Sequence, residues 1–330
     1  MLRDCAPHLL VLVIAVVLVA PALAATDEVR ITNDREHQIL PDISGDWIVW
    51  TDYQNGNADI YGYDLKTGMI KQITEDTADQ FDPAISGTRV VWTDLRNGND
   101  YSWNTDIYLY NLKTRKEMHI TDDAAPQGDP AIDGFRVVWT DLINGNADIV
   151  FYDIDTSERK EITSDKADQY GPAISGDRIV WTDRRNGNAD IYMYDLDKGE
   201  ERQITTEEAD QYDPEIHENY IVWTDERNGN ADIYMYDCLN NEERQITADE
   251  IDQSRPAVSD DTIVWMETRN GRKDIVRYDI GTRSESRLTT NTAERLWPAI
   301  YDERVAWTDL RNGKADIYLL DRDTERETTT

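Results

Sequence analysis

The sequence predicts a seven-bladed β-propeller, because one short phrase recurs seven times along the 330 residues. The phrase is clearest from Ile179 to Tyr192, which reads Ile-Val-Trp-Thr-Asp-Arg-Arg-Asn-Gly-Asn-Ala-Asp-Ile-Tyr. Its tryptophans recur every 42 residues, with one interval of 47, at Trp50, Trp92, Trp139, Trp181, Trp223, Trp265 and Trp307. This period, in strand-forming residues, is typical of a propeller in which each repeat forms one four-stranded antiparallel blade.

The fourth repeat shows how one blade is built. Two runs rich in β-branched and aromatic residues, 178–181 and 191–196, lie on either side of Asn186-Gly187. Asn-Gly favours a two-residue type I′ turn, which predicts a hairpin between the second and third strands. Both faces of these strands are apolar, as expected for a blade packed between two neighbours. Residues 172–175 and 202–205 are the predicted inner and outer strands, and the alanine common in the inner strands suits a crowded axis.

The two ends of the chain predict how the ring closes. A threonine lies 18 residues before each repeat tryptophan, and before the first tryptophan it is Thr32. Residues 29–32 therefore form an outer strand with no inner strands before it. In the last repeat the apolar position of the outer strand is occupied by threonine in the run 328–330. We predict that the N-terminal strand completes the C-terminal blade, which removes exposed sheet edges.

The N-terminus has the order of parts found in a secretory signal peptide. Arg3 precedes an apolar run over 9–20, and Ala22-Leu23-Ala24 provides a small-residue cleavage site. An uncleaved anchor is the less favoured interpretation because the run is short and ends at Pro21. We predict a signal peptide at 1–24, a propeller at 26–330, no membrane span after cleavage, and a secreted or cell-surface location.

Composition narrows the classes of partner. Acidic residues outnumber basic ones by 67 to 34, which gives a formal net charge of −33. Such a surface repels nucleic acid and anionic membranes and favours basic partners or cations.

The chain has two cysteines, Cys5 and Cys238. Cys5 leaves with the predicted signal peptide. Cys238 replaces the leucine seen at Leu196, so we expect Cys238 to be a small residue of the core.

The repeat resembles a known family. The pattern Trp-Thr-Asp-x-Arg-Asn-Gly-Asn-x-Asp-Ile-Tyr-x-Tyr-Asp-Leu, followed by Arg-Gln-Ile-Thr, resembles the TolB-like propeller repeat of cell-surface proteins, from about residue 28 to the end. The resemblance implies the fold more than the activity, because such propellers include binding proteins, lyases and accessory domains of peptidases. Periplasmic TolB is expected to have an α/β domain before a six-bladed propeller. Seven repeats here do not imply a role in the Tol envelope system.

Catalytic residues are not evident in the sequence. The histidines of the mature chain, His37, His119 and His217, lie in different repeats and at different repeat positions. Oligogalacturonate-type lyases, which the resemblance brings into consideration, are expected to use a histidine-rich metal site that has no counterpart here. There is no Gly-x-Ser-x-Gly nucleophile elbow either. We therefore predict that the chain is not an enzyme, with a lyase or a glycosidase as the less favoured alternative.

Each loop around Asn-Gly collects oxygen ligands, as Asp183, Asn186, Asn188 and Asp190 do in the fourth repeat. The spacing differs from that of an EF-hand. The favoured interpretation is that Asp183 satisfies turn amides and pairs with Arg185. We predict no metal site and no cofactor, with calcium binding as the alternative.

The candidate site lies on the face that carries the Asn-Gly turns and the linkers between blades, here called the top face. The linkers contain Tyr170 and Tyr212, and Trp297 replaces the Asp or Gly that precedes proline in most of them. The second repeat inserts five extra residues, with Tyr101 and Trp103 in that loop. Exposed aromatic groups stack on sugars or anchor protein interfaces, although they can equally fill gaps between blades.

These observations predict a secreted or cell-surface, non-catalytic binding scaffold. Its predicted partner is a protein or an envelope component, bound through Tyr101, Trp103, Trp297, Tyr170 and Tyr212. A glycan-binding lectin is the alternative, and a polysaccharide-active enzyme is the third interpretation.

Overall fold

A computed structural model describes residues 28–98, 104–289 and 293–321, and these residues form 28 β-strands and no helix. No helix able to cross a membrane is therefore found in the described part of the chain. The predicted signal peptide, Tyr101 and Trp103 lie outside the described residues.

In chain order the strands are β1 Glu28–Arg30, β2 Gln38–Ser44, β3 Trp47–Asp52, β4 Asp59–Asp64, β5 Met69–Gln72, β6 Gln80–Ser86, β7 Arg89–Asp94, β8 Asp106–Asn111, β9 Lys116–His119, β10 Gln127–Asp133, β11 Arg136–Asp141, β12 Asp148–Asp153, β13 Glu158–Glu161, β14 Gln169–Ser175, β15 Arg178–Asp183, β16 Asp190–Asp195, β17 Glu200–Gln203, β18 Gln211–His217, β19 Tyr220–Asp225, β20 Asp232–Asp237, β21 Glu242–Gln245, β22 Asp252–Ser259, β23 Thr262–Arg269, β24 Arg272–Asp279, β25 Ser284–Arg287, β26 Arg295–Tyr301, β27 Arg304–Asp309 and β28 Asp316–Asp321.

The strands form seven four-stranded antiparallel sheets, which confirms the predicted seven-bladed propeller. Blades 1 to 6 each use four consecutive strands, from β2-β3-β4-β5 in blade 1 to β22-β23-β24-β25 in blade 6. Blade 7 has the order β1-β28-β27-β26. The first strands of neighbouring blades contact one another around the whole ring, including β2 with β26, so they surround a central channel.

The hydrophobic core lies between the blades. Val138 and Ile149 of blade 3, for example, pack against Ile179 and Trp181 of blade 4. All seven repeat tryptophans are 0% exposed. Truncating a buried side chain of this size costs about 3–5 kcal/mol. Packing of sheet on sheet therefore holds the ring together, as the two apolar faces of each strand predict.

Each tryptophan is oriented by the aspartate two residues later. Trp181 Nε1 donates to Asp183 Oδ2 at 2.9 Å, and five other blades repeat this bond. Asp183 also accepts from the main-chain nitrogen of Arg185 at 2.9 Å and pairs with its guanidinium, as predicted. In blade 6 Glu267 replaces the aspartate, and Trp265 Nε1 has no acceptor among the described residues.

The N-terminal strand closes the ring, as predicted. β1 pairs antiparallel with β28, with Val29 opposite Leu319. Thr32 Oγ1 accepts from the main-chain nitrogen of Ile317 at 2.9 Å. Within blade 4, Thr205 Oγ1 accepts from Ile191 in the same way at 2.8 Å. β1 therefore takes the place of a fourth strand without a change of register.

The predicted two-residue type I′ turn is wrong for blade 4. Residues 184–189 connect β15 to β16, and only Gly187 of the Asn-Gly pair has a positive φ, at 100°. The loop is held open by Asn188, whose Nδ2 donates to the carbonyl oxygens of Glu207 at 2.9 Å and Ala209 at 3.1 Å.

Blade 6 alone has the predicted turn among the described hairpins of this kind. Asn270 and Gly271 have φ values of 54° and 73°. Arg272 stands where blades 1, 3, 4 and 5 have the asparagine that binds the following linker, and where blade 7 has Lys314, whose Nζ donates to the carbonyl oxygen of Glu36 at 3.4 Å. No such bond to a linker is found for Arg272 among the described residues, and β23 pairs with β24 up to Arg269 opposite Arg272.

Candidate functional site

A cavity of about 580 Å³ opens at the top end of the central channel. Every inner strand contributes to it at a β-bulge, where the pairing register shifts on either side of a proline, as between Tyr170 and Ala173 in blade 4. A bulge re-aims the side chains beside it. The residue before each proline lines the cavity, and we call this set the pre-proline ring: Leu40, Asp82, Asp129, Gly171, Asp213, Arg255 and Trp297.

The backbone of the pre-proline ring is strained. All seven residues have φ between 50° and 60°, in the left-handed region. Gly171 adopts this conformation without penalty, whereas each other residue carries a cost of roughly 1–3 kcal/mol. Six blades therefore hold a side chain at the mouth where glycine would be less strained.

The mouth carries three carboxylates and one guanidinium. Burial and, to a smaller extent, repulsion from Asp129 raise the pKa of Asp82 to about 6, although Arg255 acts in the opposite direction. Burial also raises the pKa of Asp129 and Asp213, and Arg255 again lowers both. The ring is therefore electrostatically coupled across the channel, with acidic groups in excess.

Two more carboxylates lie deeper, where the inner strands of the other blades carry alanine. Asp42 Oδ2 accepts from the main-chain nitrogen of Ile85 at 2.7 Å, and burial raises the pKa of Asp42 to about 6. The Glu215 side chain is exposed to the channel, whose wall surrounds it. Burial, followed by repulsion from Asp42 and Asp213, raises the pKa of Glu215 to about 8. The raised pKa favours the protonated form of Glu215, which can donate a hydrogen bond.

Two of the predicted aromatic residues line the same cavity. Trp297 and Tyr170 both line the cavity and are half-buried. The hydroxyl of Tyr170 accepts from Arg184 Nε at 3.3 Å. Tyr212 occupies the equivalent position in blade 5, but it is outside the cavity lining, and its hydroxyl donates to Glu226 Oε1 at 2.9 Å. Tyr212 is therefore held on its own blade.

Sequence reasoning missed Asp42, Glu215 and Arg255. The signal was present, because Asp42 and Glu215 replace the usual inner-strand alanine and Arg255 replaces the usual Asp or Gly before proline. Like Trp297, each of them differs from the residue that most other blades carry at the same position of the repeat.

The oxygen-rich loops use their side chains within the fold. Asn186 Nδ2 donates to Asp190 Oδ2 at 2.9 Å, and Asp183 binds its own tryptophan and turn. Within the described ranges, no group of three or more His, Cys, Asp or Glu side chains is placed to hold a metal ion. The histidines have separate surroundings: His119 stacks on Tyr108 with centroids 4.3 Å apart, and His217 Nε2 lies 3.5 Å from Asp260.

Comparisons with solved structures agree with this architecture. The chain superposes on TolB from Acinetobacter baumannii with a TM-score of 0.55 and 20% identity, over 73% of this chain and 62% of that one. It matches an oligogalacturonate lyase in complex with manganese with a TM-score of 0.66 and 13% identity, over 90% of this chain and 94% of that one. The β-propeller domain of the Trilobed protease from Pyrococcus furiosus gives 0.70 and 13% identity, over 88% and 95%. At these identities the likeness shows the fold alone.

Sequence comparisons identify the family. No curated protein matches the chain. A family model described as the TolB beta propeller domain matches residues 129–301, which is more than half of the chain. Together with the seven blades of the structure, this match shows that the chain belongs to the TolB β-propeller domain family.

Proposed function

We propose that the chain is a non-catalytic binding scaffold that takes a protein or a cell-envelope component at the top mouth of its central channel. The observation that carries this proposal is the pre-proline ring. Its members differ in charge and size from blade to blade, whereas the residues that build the blades repeat with little change. Folding needs the repeat, but recognition of one partner needs asymmetry.

The chemistry of the mouth suits a partner with a cationic group beside an apolar one. Asp82, Asp129 and Asp213 supply negative charge, while Trp297 and Tyr170 supply aromatic surface. Attraction to the carboxylates weakens as salt screens it, whereas aromatic contact does not. Binding of this kind should therefore lose part of its strength, but not all of it, at high ionic strength.

An extracytoplasmic location is part of the proposal. It rests on the signal peptide predicted at 1–24 and on membership of a family that includes TolB. The partner is then expected outside the cytoplasm, either in the envelope or at the cell surface.

The test is co-sedimentation of the mature chain with isolated envelopes of its source. A Trp297→Ala, Tyr170→Ala double variant removes the aromatic part of the mouth, and Tyr212→Ala is the matched control on an equivalent position outside the cavity. We expect binding to fall in the double variant and to persist in the control. If binding is lost only in a Tyr101→Ala, Trp103→Ala variant, the partner is recognised by the inserted loop of blade 2 and not by the mouth of the channel.

A polysaccharide-active enzyme is the second candidate, because Asp42 and Glu215 share a channel and have raised pKa values of about 6 and about 8. Carboxyl groups with separated pKa values can act as base and acid. The test is turnover of uronate polysaccharides, with and without manganese. Turnover that is lost in Glu215→Gln would favour this activity over the scaffold. Binding to a glycan panel without turnover would favour a lectin.

A further inference from the structure

The seven Asn-Gly pairs of the top face have the same sequence but different protection. Asn-Gly is the dipeptide most prone to deamidation. Glycine has no side chain, so its main-chain nitrogen can approach and attack the Cγ atom of the preceding asparagine. The reaction needs a free amide N–H on the glycine and an asparagine side chain free to turn toward it. The seven pairs form an internal comparison within one chain: Asn55-Gly56, Asn97-Gly98, Asn144-Gly145, Asn186-Gly187, Asn228-Gly229, Asn270-Gly271 and Asn312-Gly313.

Six of the glycine N–H groups are engaged. In blade 4 the nitrogen of Gly187 donates to the carbonyl oxygen of Arg184 at 3.1 Å, and the equivalent bonds elsewhere measure 2.8–3.2 Å. In blade 6 the two-residue turn places Gly271 at the tip of the hairpin, where its N–H has no partner among the described residues. Only this glycine nitrogen of the seven is unengaged.

The asparagine side chains show the same contrast. In five blades the amide nitrogen donates both to an aspartate and to a tyrosine hydroxyl, as Asn186 does to Asp190 at 2.9 Å and Tyr192 at 3.0 Å. In blade 3 Val150 replaces the tyrosine, so Asn144 has only the bond to Asp148, at 3.2 Å. Asn270 makes no side-chain hydrogen bond within the described ranges and is exposed.

The sequence of blade 6 explains this loss. Val276 replaces the tyrosine, and Asp274 accepts from the buried Arg295 at 2.7 Å instead of from the asparagine. Arg272 and Lys273 replace the Asn-Ala that ties the loops of blades 1, 3, 4 and 5 to the following linker. Opening the tip requires only the terminal pair, Arg269 and Arg272, to separate, and such ends of hairpins open with little cost in free energy.

We propose that Asn270 is a site of spontaneous deamidation, selected from seven identical dipeptides by the structure of blade 6. The main-chain nitrogen of Gly271 loses its proton and forms a bond to Asn270 Cγ. The Cγ–Nδ2 bond breaks, and the nitrogen leaves as ammonia with the proton. Water then opens the resulting succinimide at either carbonyl, which gives aspartate or isoaspartate at 270. The product adds a negative charge to the top face, and isoaspartate lengthens the backbone of the turn.

The experiment follows all seven sites in one sample. The folded mature chain is incubated in mildly alkaline buffer, digested, and analysed by mass spectrometry with labelling of isoaspartate by its methyltransferase. Asn270 should deamidate about tenfold or more faster than Asn186 and Asn228, because it lacks the two side-chain hydrogen bonds and the glycine N–H bond found at those sites. Asn144 should have an intermediate rate. Equal rates at the seven sites, or a slower rate at Asn270, would overturn the proposal.

Two further measurements separate structure from local sequence. In denaturant the seven rates should converge, and an unchanged preference for Asn270 there would contradict a structural origin. An Arg272→Asn, Lys273→Ala variant introduces the residues found in the loops of blades 1, 3, 4 and 5 and should slow deamidation of Asn270. Tyr192→Val is the matched control, and it should speed deamidation instead of slowing it. It removes the tyrosine that Asn186 binds, so the deamidation rate of Asn186 should rise to that of Asn144. If either variant does not fold, the comparison within the native chain still decides the proposal.

Discussion

Arg311, in the top loop of blade 7, forms an ion pair of 2.6 Å with Glu28 in the N-terminal strand. Arg185 and Glu201 form the same pair in blade 4, also at 2.6 Å. The guanidinium of Arg311 also lies over the ring of Tyr318 at 4.1 Å, as Arg185 does over Tyr192 at 4.4 Å. The strand that closes the ring therefore reproduces the contacts of an ordinary fourth strand, although it comes from the other end of the chain.

Deletion of residues 26–33 from the mature chain should destabilise the propeller markedly. It removes the partner of β28 and exposes the apolar side chains of Ile317 and Leu319, which pack in the core between blades 7 and 1. Burying one such side chain stabilises by about 1.5–3 kcal/mol, so the melting temperature should fall by about 5 °C or more. Glu28→Gln, which removes only a partly exposed ion pair, is the control and should cost at most about 1 kcal/mol. Calorimetry that gives the deletion and the control the same melting temperature would contradict this closure.

Glu267→Asp should stabilise blade 6. In six blades the indole nitrogen of the repeat tryptophan donates to an aspartate, whereas Trp265 Nε1 has no acceptor among the described residues. The shorter aspartate side chain would restore the carboxylate position found beside Trp181. The expected gain is about 1 kcal/mol in the free energy of unfolding, measured with urea. A loss of stability equal to that of Glu267→Ala would mean that the bonds of Glu267 to Arg269 and Arg287 dominate.

The periodic part of the sequence predicted the periodic part of the structure. The spacing of the tryptophans set the number of blades, and the position of Thr32 set the closing strand. The turn at Asn186-Gly187 was mispredicted because the loop is held open by a contact that is distant in the sequence. Asn188 Nδ2 donates to the carbonyl oxygen of Ala209, which lies 21 residues further along the chain. Sequence reasoning found Trp297 as a departure from the repeat. It missed Glu215, which replaces the alanine expected at the axis, because the carboxylate of Asp42 that acts on it belongs to another blade.

Arg295 should be among the most sensitive residues of the ring. Its side chain is fully buried and bridges Asp274 of blade 6 at 2.7 Å and Asp309 of blade 7 at 3.2 Å. Removing one partner of a buried ion pair costs about 3–5 kcal/mol, so Arg295→Met should lower the free energy of unfolding by that amount. Arg295→Gln inserts the residue that the other six inner strands carry and should cost less. Urea denaturation of both variants measures this, and equal small losses would show that the two carboxylates do not depend on Arg295.

The stability of the propeller should fall as the pH rises through the range in which Glu215 titrates. Its pKa is raised by burial, Asp42 and Asp213, from 4.5 to about 8, so between these values the folded chain binds more protons than the unfolded chain. Stability falls with pH wherever the folded state binds more protons. The pKa of Asp42 and that of Asp82 are about 6, so the decline above that pH belongs mainly to Glu215.

Glu215→Gln should flatten the melting temperature between pH 6 and 8, whereas Glu208→Gln, on an exposed linker, should leave the decline unchanged. A decline of the same size in Glu215→Gln would place the titrating group outside the channel. If the proposed cationic partner binds at this mouth, its affinity should rise over the same pH range, because ionised Glu215 adds a negative charge beneath the ring.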